Sequence, residues 1–414
     1  MKIRLTSIGL AVALTVGTAI SACSDDNSPG SPPPSNDAGD SGNGDGGSAV
    51  TAADVVKNYA KIVHENYEES VAQAKKLQAA VDAFLAGPSE ETLAAARKAW
   101  TEARPSYGQT EAFRFYGGPI DADNTGPEGE INGWPLDEAY IDYVIGKDPN
   151  DPNKEIILEG GIINTSTSEA ITKESIAAKN EQGGEANIST GWHAIEFLLW
   201  GQDRSTTGPG NRPYTDYLTT GGTNHNQQRR RDYLKAAVDL LVDDLESVEV
   251  QWHTDTADTY ASKFIAGDQN TAIRNILNGI GSLAKKELAN ERMNNAYQTK
   301  DQEEEHSCFS DTTLQDLTAN AKGIENVYLG RYGNVDGAGI DDLVKAKNPA
   351  LDAEVKQNIA ASLSAIAAIP APFDQAILSD EGHTKIKAAI DSVDKAAESL
   401  VSAATALGLQ INLE

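Results

Sequence analysis

Apolar side chains recur at spacings of three and four through most of this chain. Between residues 53 and 86, Val56, Tyr59, Ile62, Val63, Tyr67, Val71, Ala74, Leu77, Val81 and Phe84 alternate with polar groups in that rhythm, which lines one face of a helix. Gly87-Pro88 ends the pattern. Ser89 is placed to cap a second helix, with Glu91 and Thr92 in its first turn and Leu93, Ala96 and Trp100 on its apolar face. Further helical periods run over residues 168–180, 190–203, 227–250, 256–266, 269–296, 312–329, 351–368 and 381–406, while strand-like alternation is nearly absent. Residues 117–164, dense in Gly, Pro, Asp and Asn, read as a long irregular insertion, and loops of that size in a compact domain usually carry function. The expected fold is all-α, made of packed helical bundles over residues 50–410. No internal repeat is visible.

The N-terminus follows a different logic. Lys2 and Arg4 precede an apolar run from residue 8 to 20 that is short for a bilayer span, so residues 1–22 read as a secretory signal. Ile20-Ser21-Ala22-Cys23 resembles the bacterial lipobox, which makes Cys23 the expected lipidation site. Ser24 after it favours sorting to the outer membrane. Residues 23–49 hold no apolar side chain large enough to build a core and are expected to be a disordered tether, reaching about 30 Å as a coil. With 62 acidic against 34 basic residues the net charge is -28, which argues against nucleic-acid partners. The triplet Arg229-Arg230-Arg231 fits local ion pairing better than a binding patch. If Cys23 carries lipid, Cys308 has no partner and is expected to be a buried, inert thiol.

One apolar stretch holds two ionisable residues. In "GWHAIEFLLWGQD", residues 191–203, His193 and Glu196 lie three apart and so face one side of a helix, as paired imidazole and carboxylate ligands must. The spacing is not specific by itself, since six histidines in so acidic a chain give about one such pair by accident. Context adds weight. Gly191 lets another segment approach the helix start, and Trp192, Phe197, Leu198, Leu199 and Trp200 cover the other directions, so the helix is buried and its charges need partners or a metal.

Gly191-Trp192-His193-Ala194-Ile195-Glu196 resembles the GxHxxE signature of the imelysin family. "TEAFRFYGGPID" (110–121), "NGWPLDEAYIDYV" (132–144), "GPGNRPYTDY" (208–217) and "EEEHSCFSDTT" (303–313) resemble blocks of the branch typified by iron-regulated protein A. The resemblance implies two packed helical bundles, with a boundary expected near 225–255, in exported or lipid-anchored bacterial proteins associated with iron. A bound metal ion or chelated iron and an iron-uptake partner protein are then expected, with zinc or another divalent metal as alternatives to iron.

Three functions stay open on the residues: a non-catalytic iron-binding or iron-delivery lipoprotein, a metal-dependent peptidase of the imelysin type, and a scaffold whose His-Glu pair fixes helix packing. No H-E-x-x-H or G-x-S-x-G motif supports hydrolysis. His64-Glu65 supplies only the first two letters of the zinc motif and reads as a solvated pair. Iron favours carboxylate oxygen and imidazole nitrogen, so Glu111 joins His193 and Glu196 as the expected metal set, with an ion pair to Arg114 at i, i+3 as its structural alternative. Arg114, Glu138, Asp142, Gly191 and Trp192 are supporting candidates. His306 and Asp311 are expected to be structural, and His225, His253 and His383 to be surface groups.

Overall fold

The computed structural model describes residues 49–165, 167–205 and 207–413. Cys23, the signal-like segment and the expected tether through residue 48 lie outside the described residues. From residue 49 onward the chain is one compact unit, and it is all-α apart from two small strand pairs.

Helix α1 (Ala52–Ala86) opens on a capping box in which Thr51 and Asp54 satisfy each other's backbone N–H groups. Helix α2 (Glu90–Thr110) uses the same device through Ser89 and Thr92. The apolar stripe read from residues 56–84 is buried along its whole length. Pro105 sits inside α2, where it removes the donor for the Thr101 carbonyl. Gln315 Nε2 replaces that donor at 3.0 Å, so the proline marks where a later helix crosses α2.

The insertion contains more order than its composition suggests. Short helices α3 (Glu128–Asn132) and α4 (Glu138–Ile141) lead into an antiparallel hairpin, β1 (Val144–Asp148) with β2 (Asp151–Leu158), and then α5 (Gly161–Thr165). The expected helix over 168–180 contracts to α6 (Lys173–Ala177). Helices α7 (Gly191–Trp200) and α8 (Gln227–Glu249) complete a first group, in which α1 packs on α2 and α8 while α7 packs on α2, α3 and α8.

The second group begins with α9 (Tyr260–Ala266) and one long rod. Helix α10 (Gln269–Ser282) passes into a π-helical segment, Leu283–Asn294, and resumes as α11 (Asn295–Thr299). Helix α12 (Thr313–Leu329), a two-residue strand pair β3 (Arg331–Tyr332) and β4 (Val335–Asp336), and helices α13 (Ile340–Lys347), α14 (Pro349–Ala367), α15 (Phe373–Leu378) and α16 (Asp380–Ala406) follow. Helix α16 packs on α14 and on the π segment. The groups share one core, because α12 lies against α2 and α10 against α1. At Gly323 the α12 backbone comes so near α2 that a Cβ would stand 2.5 Å from the Gln109 carbonyl oxygen.

Candidate functional site

Helix α7 is buried in all ten residues. Gly191 starts it at φ +79, and a Cβ there would lie 2.3 Å from the Ile131 carbonyl oxygen of α3, so only glycine allows the contact. Gly201 at φ +73 stops it. Trp192 packs on Trp100 and Tyr107, and its carbonyl accepts a 3.0 Å hydrogen bond from Trp100 Nε1.

His193 and Glu196 share a face, with Nδ1 and Oε2 2.9 Å apart. Glu196 Oε1 accepts from the Ser310 backbone N–H at 2.9 Å and from Ser310 Oγ at 2.6 Å. On the far side of the imidazole, Arg104 Nη2 points at Nε2 from 3.4 Å. Burial pushes Glu196 up to about 8 despite the Ser310 donors. Burial also carries His193 well below the imidazole range, and Arg104 adds to that. Both shifts disfavour an imidazolium–carboxylate pair in this interior.

Arg104 is the hub behind them. Its guanidinium lies among Trp100, Tyr107 and Trp192 at 5.4 to 5.9 Å from the ring centres, a setting that stabilises a buried cation. It donates to Asn132 Oδ1 at 2.9 Å and stands 3.3 Å from Asp316 Oδ1. Asp316 Oδ2 accepts from His306 Nδ1 at 2.9 Å and from Ser307 Oγ. Burial would raise Asp316, but Arg104 and His306 overrule it and hold the carboxyl well below its ordinary value. His306 is driven down to about 4 by burial and by Arg292, so it is neutral, with its proton on Nδ1 and a lone pair on Nε2. That Nε2 has no partner.

His306 lines a cleft of about 380 Å³ with Arg114, Glu128, Trp134, Glu287 and Arg292. Glu111 lies behind it, its Oε2 clamped by Arg114 Nη1 at 2.8 Å and Arg292 Nη2 at 2.7 Å, while Oε1 has no partner. Burial alone would raise Glu111; the two guanidiniums outweigh it and keep the carboxyl ionised. Glu128 Oε1 is 2.9 Å from Arg114 and Glu287 Oε2 is 3.4 Å from Arg292. Glu181, Glu185 and Glu291 complete an acidic rim. Other clefts of about 470 and 600 Å³ exist, but no histidine lines them.

The imelysin family model, which carries the label Peptidase M75, matches residues 63–400. The chain belongs to the imelysin family. Iron-regulated protein A of Synechococcus elongatus is 24% identical over 409 residues, covering 97% of this chain and 93% of that protein. A solved iron-regulated protein A precursor from Parabacteroides distasonis superposes with a TM-score of 0.66 at 21% identity, covering 87% of this chain and 97% of its own. An imelysin-like protein from Psychrobacter arcticum gives 0.61 at 14% identity, covering 88% and 98%. The two structures establish the imelysin fold for this chain.

Within this imelysin fold the expected site residues fall into separate places. His193 and Glu196 meet, and Gly191 and Trp192 seat their helix. Glu111 and Arg114 form the i, i+3 ion pair with Arg292 as a third member. Glu111 is not gathered with His193 and Glu196: among the described residues the one trio of His, Cys or acidic side chains with ligand atoms converging within 4.8 Å lies elsewhere. Glu138 and Asp142 do not share a helix face, because α4 ends at Ile141. Asp142 is instead buried between Arg212 Nη1 at 2.6 Å and Arg230 Nε at 2.7 Å, and Glu138 sits beside Glu303, pushed up to about 7 by burial and by that neighbour. Cys308 is a free, buried thiol. His225 is exposed, whereas His383 is half-buried, stacked on Tyr297. Arg104, Asp316 and Ser310 went unremarked in the sequence, although Arg104, four residues beyond Trp100 on the apolar stripe of α2, carried a readable signal.

Proposed function

We propose that this protein is a non-catalytic iron-handling protein that takes its cargo at the His306 cleft. The observation that carries the reading is the Asp316–His306 arrangement: a carboxylate fixes Nδ1–H and leaves an unprotonated, unpartnered Nε2 on a side chain that lines the cleft, the arrangement that metal-ligating histidines adopt. His193 has a similar partner in Glu196, but Arg104 faces its second nitrogen at 3.4 Å and neither residue lines the cleft. We therefore assign His193 and Glu196 to positioning, through Arg104 and Asp316, instead of ligation.

Imidazole nitrogen with carboxylates suits iron among the first-row metals, and the family membership and the name of the Synechococcus relative support iron as cargo. Glu128 and Glu287 line the same cleft, but the three ligand atoms do not converge on one point, so His306 is the one side-chain ligand assigned and the acids face the rest of the cargo. The cleft is roomier than a bare ion needs, and Arg114 and Arg292 line it beside the acids, so a small carboxylate chelate of iron fits its mixed charge. The lipobox-like Ile20-Ser21-Ala22-Cys23 supports export and outer-membrane anchoring as part of the same reading.

Calorimetry with ferric citrate, Fe(II) and citrate alone tests it. The wild type should bind an iron-bearing probe, His306→Gln should weaken that binding at least about tenfold, and citrate alone should bind far more weakly. Equal iron binding by wild type and His306→Gln would refute the assignment.

A further inference from the structure

A second group of ligand atoms lies outside this network. His64, on the polar side of α1, directs Nε2 at Glu249 Oε1 from 3.0 Å, and His253 directs its own Nε2 at the same oxygen from 2.8 Å. Glu249 is the last residue of α8, and His253 follows the single 3-10 turn Val250–Trp252. The two imidazoles meet edge to face, 4.6 Å between centres. This is the trio whose ligand atoms all converge within 4.8 Å.

We propose that His64, Glu249 and His253 form a divalent transition-metal site of the zinc class, separate from the His306 cleft and independent of the function assigned there. Two imidazoles and one carboxylate with solvent access are the donor set of open zinc and related sites. The spacing suits them. Ligand atoms at about 2.0 to 2.1 Å from a tetrahedral ion lie roughly 3.3 Å from one another, so the observed 2.8 and 3.0 Å need to open by only a few tenths of an ångström. The side chains are 27%, 16% and 43% exposed for His64, Glu249 and His253. An ion can therefore reach them, and water can complete its shell. Binding uses the Nε2 lone pair of each ring, so any proton held on Nε2 in the hydrogen-bonded state passes to Nδ1 or to solvent.

The backbone holds the three in place without help from a metal. Trp252 is buried against Tyr59, Tyr260 and Phe264, which pins the turn between Glu249 and His253 against α1 little more than one helical turn before His64. Thr259 Oγ1 donates to the His253 carbonyl at 2.9 Å. A bound ion would join α1 to the end of α8 and stabilise the fold in proportion to its occupancy.

Titration of the full chain with Co(II), followed by its visible absorption, and with Zn(II) by calorimetry decides the matter. Wild type should bind one equivalent at this site and melt at a higher temperature with Zn(II). His64→Ala and His253→Ala should each lose affinity about a hundredfold, and His306→Gln should keep it, which separates this site from the cleft. Because His64 and His253 are partly exposed, the variants should fold, and circular dichroism checks that they do; if one does not, the other carries the test. Equal Co(II) binding by wild type and the folded variants, or no binding by wild type, overturns the proposal.

Discussion

Single side chains in the buried network act through what they leave behind when removed. Glu196 accepts from three donors or partners, so Glu196→Ala should cost roughly 3 to 5 kcal/mol by orphaning Ser310 and His193 in the interior; chemical denaturation measures it. Glu196→Gln keeps an acceptor for Ser310 and should cost less than half as much near pH 6. Asp316→Asn removes the charge that Arg104 and His306 both lean on, and a loss of about 3 kcal/mol or more is expected, with weaker iron binding because His306 is no longer held with Nε2 bare. The facing of His193 and Glu196 was legible, since helical spacing fixes it within three residues. What stands on the other side of His193 was not, because Arg104 lies 89 positions away and only packing of α2 on α7 brings it there. For the same reason His306 looked merely structural: its value rests on Asp316, a contact its own sequence neighbourhood does not announce.

Elements were legible where burial is one-sided. The stripe of α1 repeats cleanly, Gly87-Pro88 closes it and Ser89 caps α2, so the end of the first helix and the start of the second follow from sequence. The hairpin β1–β2 was missed because Ile145, Ile157 and Leu158 are exposed, leaving no alternation between a wet and a dry face. The π segment was missed because a looser winding leaves the apolar spacing close to the helical one, yet it is this winding that carries Arg292 onto Glu111 and Glu287 to the cleft. Gly191 was read correctly as a point of close approach. Gly191→Ala should accordingly destabilise the protein by at least about 2 kcal/mol, through both the strained φ and the collision with Ile131; a fall in melting temperature of several degrees is the measurement. Gly87→Ala, which meets nothing within 4 Å, is the control and should be nearly neutral.

Among the described residues, burial has raised more carboxyls than salt bridges have lowered, which gives stability a particular dependence on pH. Glu196 at about 8, and Glu138, Asp244 and Asp311 at about 7, bind protons more tightly folded than unfolded, and burial raises Glu305 in the same sense. Their contribution is complete below the unfolded carboxyl range and is lost as pH rises through 7 to 8. His193 and His306 work in the opposite direction, since only the unfolded chain charges them as pH falls below about 6.5. Asp316, Glu111 and Asp142 are held low, so their stabilisation disappears below about pH 4. The five raised carboxyls outnumber the two histidines, so the melting temperature should peak at about pH 4 to 4.5 and decline from there to pH 8.5, and Glu196→Gln should flatten that slope. A profile that climbs from pH 6 to 8.5 would contradict this balance. The shared core has a mechanical side as well. Helix α1 has 35 residues, about 52 Å of rod, and it is gripped along that length by α2, α8 and α10. A pull arriving from the chain upstream of Ala49 enters the fold at the end of this rod and loads it in shear, with many side-chain contacts resisting together instead of peeling one by one. In a force experiment, tension applied at the N-terminus should meet a single high rupture event.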